Sequence, residues 1–182
     1  IFYRIHPDDR EYISESIIES VSNQTIFHGD FRVILPKQGL RWRHCNAKPQ
    51  LLEDGSTLWH GIILDITDRK LAEEKLKEQR VLFETIFNTI TDAVVITDKE
   101  RNITLANKGV QTIFGYNPNE IKGKSTKVLY AGEEFYNKSG QEIFNEQSPN
   151  TDNFYFTKYA DKNGNEFPGE TFGAKLYNAN GE

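Results

Sequence analysis

Apolar positions change their spacing along this chain, and each change predicts a new element. Over 7–23, Ile13, Ile17, Ile18 and Val21 recur at helical spacing behind the acidic pair Asp8-Asp9, which suits the positive end of a helix dipole. Strand-like runs follow over 26–35, 40–52 and 56–66, separated by Pro36-Lys37-Gln38-Gly39 and Glu53-Asp54-Gly55. Such short, Gly-closed connections are hairpin chemistry and predict an antiparallel meander, because parallel strands need long crossovers. Residues 68–90 then lose all Gly and Pro and fill with Lys, Glu, Arg and Leu, which predicts one long helix. Along it Ala72, Leu76, Gln79, Phe83, Ile86 and Ile90 fall at alternating steps of four and three, the stripe of a heptad-like seam.

The period shortens again after Thr91. Residues 93–97 and 103–106 read as hairpin partners around a turn at 98–102, with Asn102 expected in the left-handed conformation. Helical segments are expected over 107–114, ending at Gly115, over 117–121 and over 133–146. Two further strands, 153–160 and 166–178, flank the turn Asp161-Lys162-Asn163-Gly164-Asn165. The late strands echo the early ones. Phe31 matches Phe156 and Gly39 matches Gly164 at one offset, and Gly55 matches Gly181 one residue further on, the pattern of a duplicated module. On this alignment each end of the sequence is expected to fall inside a domain.

Composition narrows the function classes. With 37% hydrophobic and 27% charged residues, 12 Phe and 8 Tyr in 182 residues, there is material for two small packed cores. No run approaches the roughly 18 apolar residues needed to cross a bilayer. A net charge of −5 without a Lys/Arg cluster argues against nucleic-acid binding. The lone Cys45 excludes an intrachain disulfide and fits a reducing, cytoplasmic setting.

Two stretches resemble PAS domains. The run 92–124, with Ile96-Thr97-Asp98, Ile103, Asn107, Phe114-Gly115-Tyr116 and Glu120-Ile121-Lys122-Gly123-Lys124, resembles the first half of one. The stretch from His6-Pro7-Asp8-Asp9 to Asp65-Ile66-Thr67-Asp68-Arg69-Lys70 resembles the second half of another. The resemblance implies an α+β fold, a five-stranded antiparallel sheet with helices on one face. The expected layout is a partial module over 1–67, a helical signalling linker over 68–90, and a second module over 91–182 lacking its last strand. It also implies sensory transduction in a two-component system: a non-enzymatic input region sensing a small molecule or redox state. An output in the same polypeptide, a histidine kinase or a diguanylate cyclase, would receive the signal. A homodimer paired through the linker is the expected assembly, with no membrane contact in this region, whether or not the whole protein is membrane-attached. The rival reading is a ligand-free dimerisation and relay scaffold.

Candidate residues follow. Asp65 and Thr67 are expected to cap the linker helix while bonding to the sheet, with either Arg41 or Arg43 as partner of Asp65 and Trp42 packed nearby. The plain alternative is an ordinary helix cap. In the second module Thr97, Gln111, Phe114, Phe135, Phe144, Phe154, Phe156 and Thr171 are candidates to line a ligand pocket, although the aromatics serve equally as core. His6, His28, His44 and His60 are read as structural or surface residues, and no metal site is expected. Haem-binding PAS domains carry their ligand in the helix before the third strand, and 133–146 holds no histidine; flavin-type photochemistry needs a cysteine near Gly123, where there is none. No cofactor is evident, and an unidentified small molecule is the one ligand expected. No phosphate loop, nucleophile elbow or paired catalytic motif occurs.

Overall fold

A computed structural model describes residues 2–142 and 154–176 and divides the chain into two compact units, Ile1–Val81 and Leu82–Glu182. In the first unit, helix α1 (Arg10–Asn23) precedes strands β1 (Phe27–Leu35), β2 (Gly39–Leu51) and β3 (Thr57–Asp65). These strands form an antiparallel sheet in the order β1-β2-β3. The expected meander is present with its expected turns. Leu35 pairs with Gly39 across the first turn, and Gly39 takes the left-handed φ of +68° that a side chain would resist. Asp9 does not cap α1 with its side chain; its carboxylate instead takes the Arg32 backbone N–H at 2.8 Å and the Arg32 guanidinium. That exchange binds the helix start to β1. Strand alternation places Phe27, Phe31, Val33, Cys45 and Ala47 on one face, where Ile5 and Ile13 cover them. Burial raises the Cys45 thiol above its ordinary pKa, as expected for a small core residue.

Helix α2 (Thr67–Thr89) is the long helix predicted over 68–90, and the division between the units falls within it. Among the described residues its seam is largely exposed. Leu76 is 67% exposed, and Phe83, Ile86 and Ile90 are also open to solvent.

The second unit holds β4 (Val95–Thr97), β5 (Ile103–Ala106), α3 (Lys108–Phe114), α4 (Pro118–Ile121), α5 (Glu133–Glu142), β6 (Phe154–Ala160) and β7 (Glu166–Phe172). Ile103, Val110, Phe114, Ile121, Leu129, Tyr130 and Tyr159 form its core. Gly115 ends α3 in the left-handed conformation, and a reciprocal Asn117/Glu120 capping box starts α4. In the β4–β5 turn the left-handed residue is Arg101, at φ +64°, and not Asn102. Asn102 is held by Asp98, whose carboxylate accepts its backbone N–H at 2.7 Å and its side-chain amide at 3.0 Å. The α+β class stands, but among the described residues no five strands join in one sheet. The first unit pairs three strands, and the second pairs β4 with β5 and β6 with β7.

Candidate functional site

The start of α2 joins the sheet through a compact set of polar groups. Asp65 ends β3, and its Oδ1 accepts the backbone N–H of Thr67 at 3.0 Å and the Thr67 hydroxyl at 2.6 Å. One of the first-turn donors that a helix leaves unsatisfied is thereby met. Oδ2 of the same carboxylate pairs with Arg43, the cross-strand neighbour of Asp65 on β2. Arg43 is therefore the sheet-side partner; the Arg41 guanidinium instead donates to the Leu40 carbonyl at 3.0 Å. Trp42 completes the junction with its backbone, donating its N–H to Thr67 Oγ1 at 2.9 Å and accepting from Ile66 N–H at 3.1 Å. Chiefly the Thr67 hydroxyl and amide, and then Arg43, hold the Asp65 carboxyl down at a pKa of about 2. On the core side of the sheet, Arg43 also borders an apolar groove lined by Phe31, Val33 and Ile63.

The last turn of α2 is held by Asn107, which the sequence places at a helix start within the PAS-like run. Asn107 is fully buried, and its Nδ2 donates to the carbonyls of Phe87 at 3.1 Å, Ile90 at 3.1 Å and Asp92 at 2.9 Å. Its Oδ1 accepts from Val94 N–H at 2.9 Å. A neutral amide is suited to this place because it both donates and accepts. It ties the C-terminal carbonyls of the helix to the strand that follows.

The proposed pocket residues divide. Phe114 and Phe135 lie with the core of the second unit, and Thr171 shares a 2.5 Å hydrogen bond with the Tyr159 hydroxyl. Thr97 and Gln111 are exposed, as are Phe154 at 62% and Phe156 at 78%. Alternation along β6 explains the last two: Tyr155, Thr157 and Tyr159 take the inner face, so the even-numbered residues point outward. Phe144 lies outside the described residues. The interior is more polar than the phenylalanine pattern implies. The hydroxyls of Tyr130, Tyr155 and Tyr159 are linked in a chain at 3.3 Å per step, and burial raises the pKa of Tyr155 and Tyr159. Arg101 reaches this chain from its left-handed turn, donating to Tyr136 O at 2.8 Å and Tyr130 Oη at 3.3 Å and lying 3.8 Å from the Tyr136 ring centre. Among the described residues no group of three or more His, Cys, Asp or Glu could hold a metal ion, and no helix is long and apolar enough to cross a membrane.

A family model described as PAS fold matches residues 82–182, and a second PAS-fold model matches residues 2–63. The sensor protein FixL of Bradyrhizobium diazoefficiens is 32% identical over 130 residues, 69% of this chain and 25% of that protein. The probable diguanylate cyclase DgcE of Escherichia coli is 27% identical over 118 residues, 64% of this chain and 11% of that protein. The chain thus spans a quarter or less of these relatives. Among solved structures, a sensory box histidine kinase/response regulator from Burkholderia thailandensis aligns at 26% identity and a TM-score of 0.41, covering 47% of this chain and 66% of that one.

Proposed function

As the chain belongs to the PAS-fold family, we propose that it is the sensory input and relay region of a sensor histidine kinase. In this reading a small molecule or a redox change perturbs one or both modules, and α2 carries the perturbation toward an output domain elsewhere in the polypeptide. The observation that carries the reading is the shared Asp65 carboxylate, which bonds the first turn of α2 and the sheet residue Arg43 at once. Any shift of β2 against β3 must then change the helix cap, and an effector that binds two such arrangements unequally biases them. The exposed seam Leu76, Phe83, Ile86 and Ile90 supports pairing of two copies along α2, since an unpartnered apolar stripe at heptad spacing is buried by self-association. A diguanylate cyclase output fits the same design, and the DgcE likeness keeps it in view.

Asp65→Asn and Thr67→Val in the full-length protein test the relay. Basal autophosphorylation or the response to signal should change, and identical values for both would overturn it. A second reading, a ligand-free dimerisation scaffold, draws on the same exposed seam. Native mass spectrometry of the purified chain separates the two: an added small mass favours the sensor, and a bare dimer favours the scaffold.

A further inference from the structure

The sheet touches the first turn of α2 in a second place, on its other face. Phe31, Arg43 and Asp65 are consecutive cross-strand partners on one rung, whereas Asp30 and His44 belong to the next rung, so their side chains leave the sheet on the opposite side. Asp30 Oδ1 lies 2.7 Å from His44 Nδ1, and Oδ2 receives Lys70 Nζ at 2.8 Å with Arg69 Nη2 at 3.6 Å. Lys70 also lies 5.3 Å from the Trp42 ring centre, and the Arg32 guanidinium is 5.8 Å from the same ring. Lys70 and His44 together hold the Asp30 carboxyl below its ordinary pKa, so it is ionised at neutral pH.

We propose that Asp30 is a second anchor of the connecting helix, so that the sheet sets the direction of α2 as well as its start. The proposal rests on the relay reading of the same junction and adds a named positioning residue to it. The Asp65, Trp42 and Thr67 bonds all fall within residues 65–67, one short stretch about which a helix can pivot. Lys70 stands three residues further, about one turn along, and is held from a different strand and the other face. Two grips that straddle the sheet define an axis. His44 matters because it fixes the Asp30 carboxylate across the ladder, which ties the second grip to the register of β1 on β2. A displacement of either strand then swings the helix rather than only loosening its cap.

The test is the distance distribution between spin labels at Lys37→Cys and Glu78→Cys, two exposed positions within the first unit, in the full chain carrying Cys45→Ser. Asp30→Asn and Lys70→Met should each broaden the distribution, by about twofold or more for release of one of two local tethers. The double variant should broaden it by less than the sum of the single changes, because the Asp30–Lys70 pair is common to both, while Arg69 and His44 on Asp30 and the Trp42 ring on Lys70 are lost separately. Unchanged distributions in both single variants, with native circular dichroism, overturn the proposal. Asp65→Asn/Thr67→Val is the control. Broadening there but not with Asp30→Asn removes the second anchor and leaves the relay standing, and no broadening in any variant removes both.

Discussion

At its first turn α2 is held by a carboxylate with half of its side chain in water, and at its last turn by an amide with none. Asp65 works through an ion pair and two short-range hydrogen bonds. Asn107, its own side chain fully buried, works through four hydrogen bonds to backbone groups. Water reaches the Asp65 half of the ion pair, whose side chain is 50% exposed, so a partner lost there is replaced at smaller cost. The Asn107 amide itself has no access to water, so a group orphaned on it bears its desolvation penalty. One end is therefore adjustable and the other is all-or-none. A relay needs both kinds of attachment, since a helix that slips at each end transmits nothing.

The largest effect should come from the buried end. Asn107→Ala leaves three carbonyls and one N–H without their partner and should destabilise the second unit by about 3 kcal/mol, read from the urea midpoint. Asn107→Asp should do no better, because a carboxylate can still accept from Val94 but sets negative charge against three carbonyl oxygens. A loss under about 1 kcal/mol in both variants would place the two ends on an equal footing and undo the contrast. The next effect is smaller. Thr67 is buried, and Thr67→Val keeps its shape while removing the acceptor of Trp42 N–H, for an expected loss of about 1 kcal/mol in the first unit by the same measurement.

How much of this the sequence discloses depends on how far each residue's partners lie. The meander, its Gly turns and α2 are written in local spacing, and so is the Asp65-Thr67 pair, whose main bonds span two residues. Arg43 could not be told from Arg41 because both share a strand face and only the register of β2 on β3 separates them. Arg101 was hidden for a deeper reason. A left-handed arginine is locally unfavourable, and what supports it lies 29 and 35 residues away at Tyr130 and Tyr136. Phe154 and Phe156 stand on the outer face of β6, which carries aromatics on both faces, so hydrophobicity alone does not choose the inner one. Asn107 and Asp30 each look ordinary, one a helix-start residue and the other a polar position in a strand; their roles depend on groups 13 to 20 residues away for the first and on Lys70 for the second.

The smallest effect at neutral pH is also the sharpest probe of the exposed end. The folded-state pKa of Asp65 lies near 2, below its usual 3.8, so its contribution is complete above the usual value and is lost as pH falls toward 2. The Asn107 amide does not ionise in this range. The Thr67 amide resonance should therefore titrate with a midpoint near 2, while the Val94 amide, bonded to Asn107, stays in place until the unit unfolds. Asp65→Asn should abolish the Thr67 titration and leave Val94 as it was. A Thr67 midpoint near 3.8 would mean that the carboxylate is not engaged in solution. The first end of α2 would then keep only its Trp42 and Asp30 contacts, and the mechanical case for a relay through Asp65 would fail.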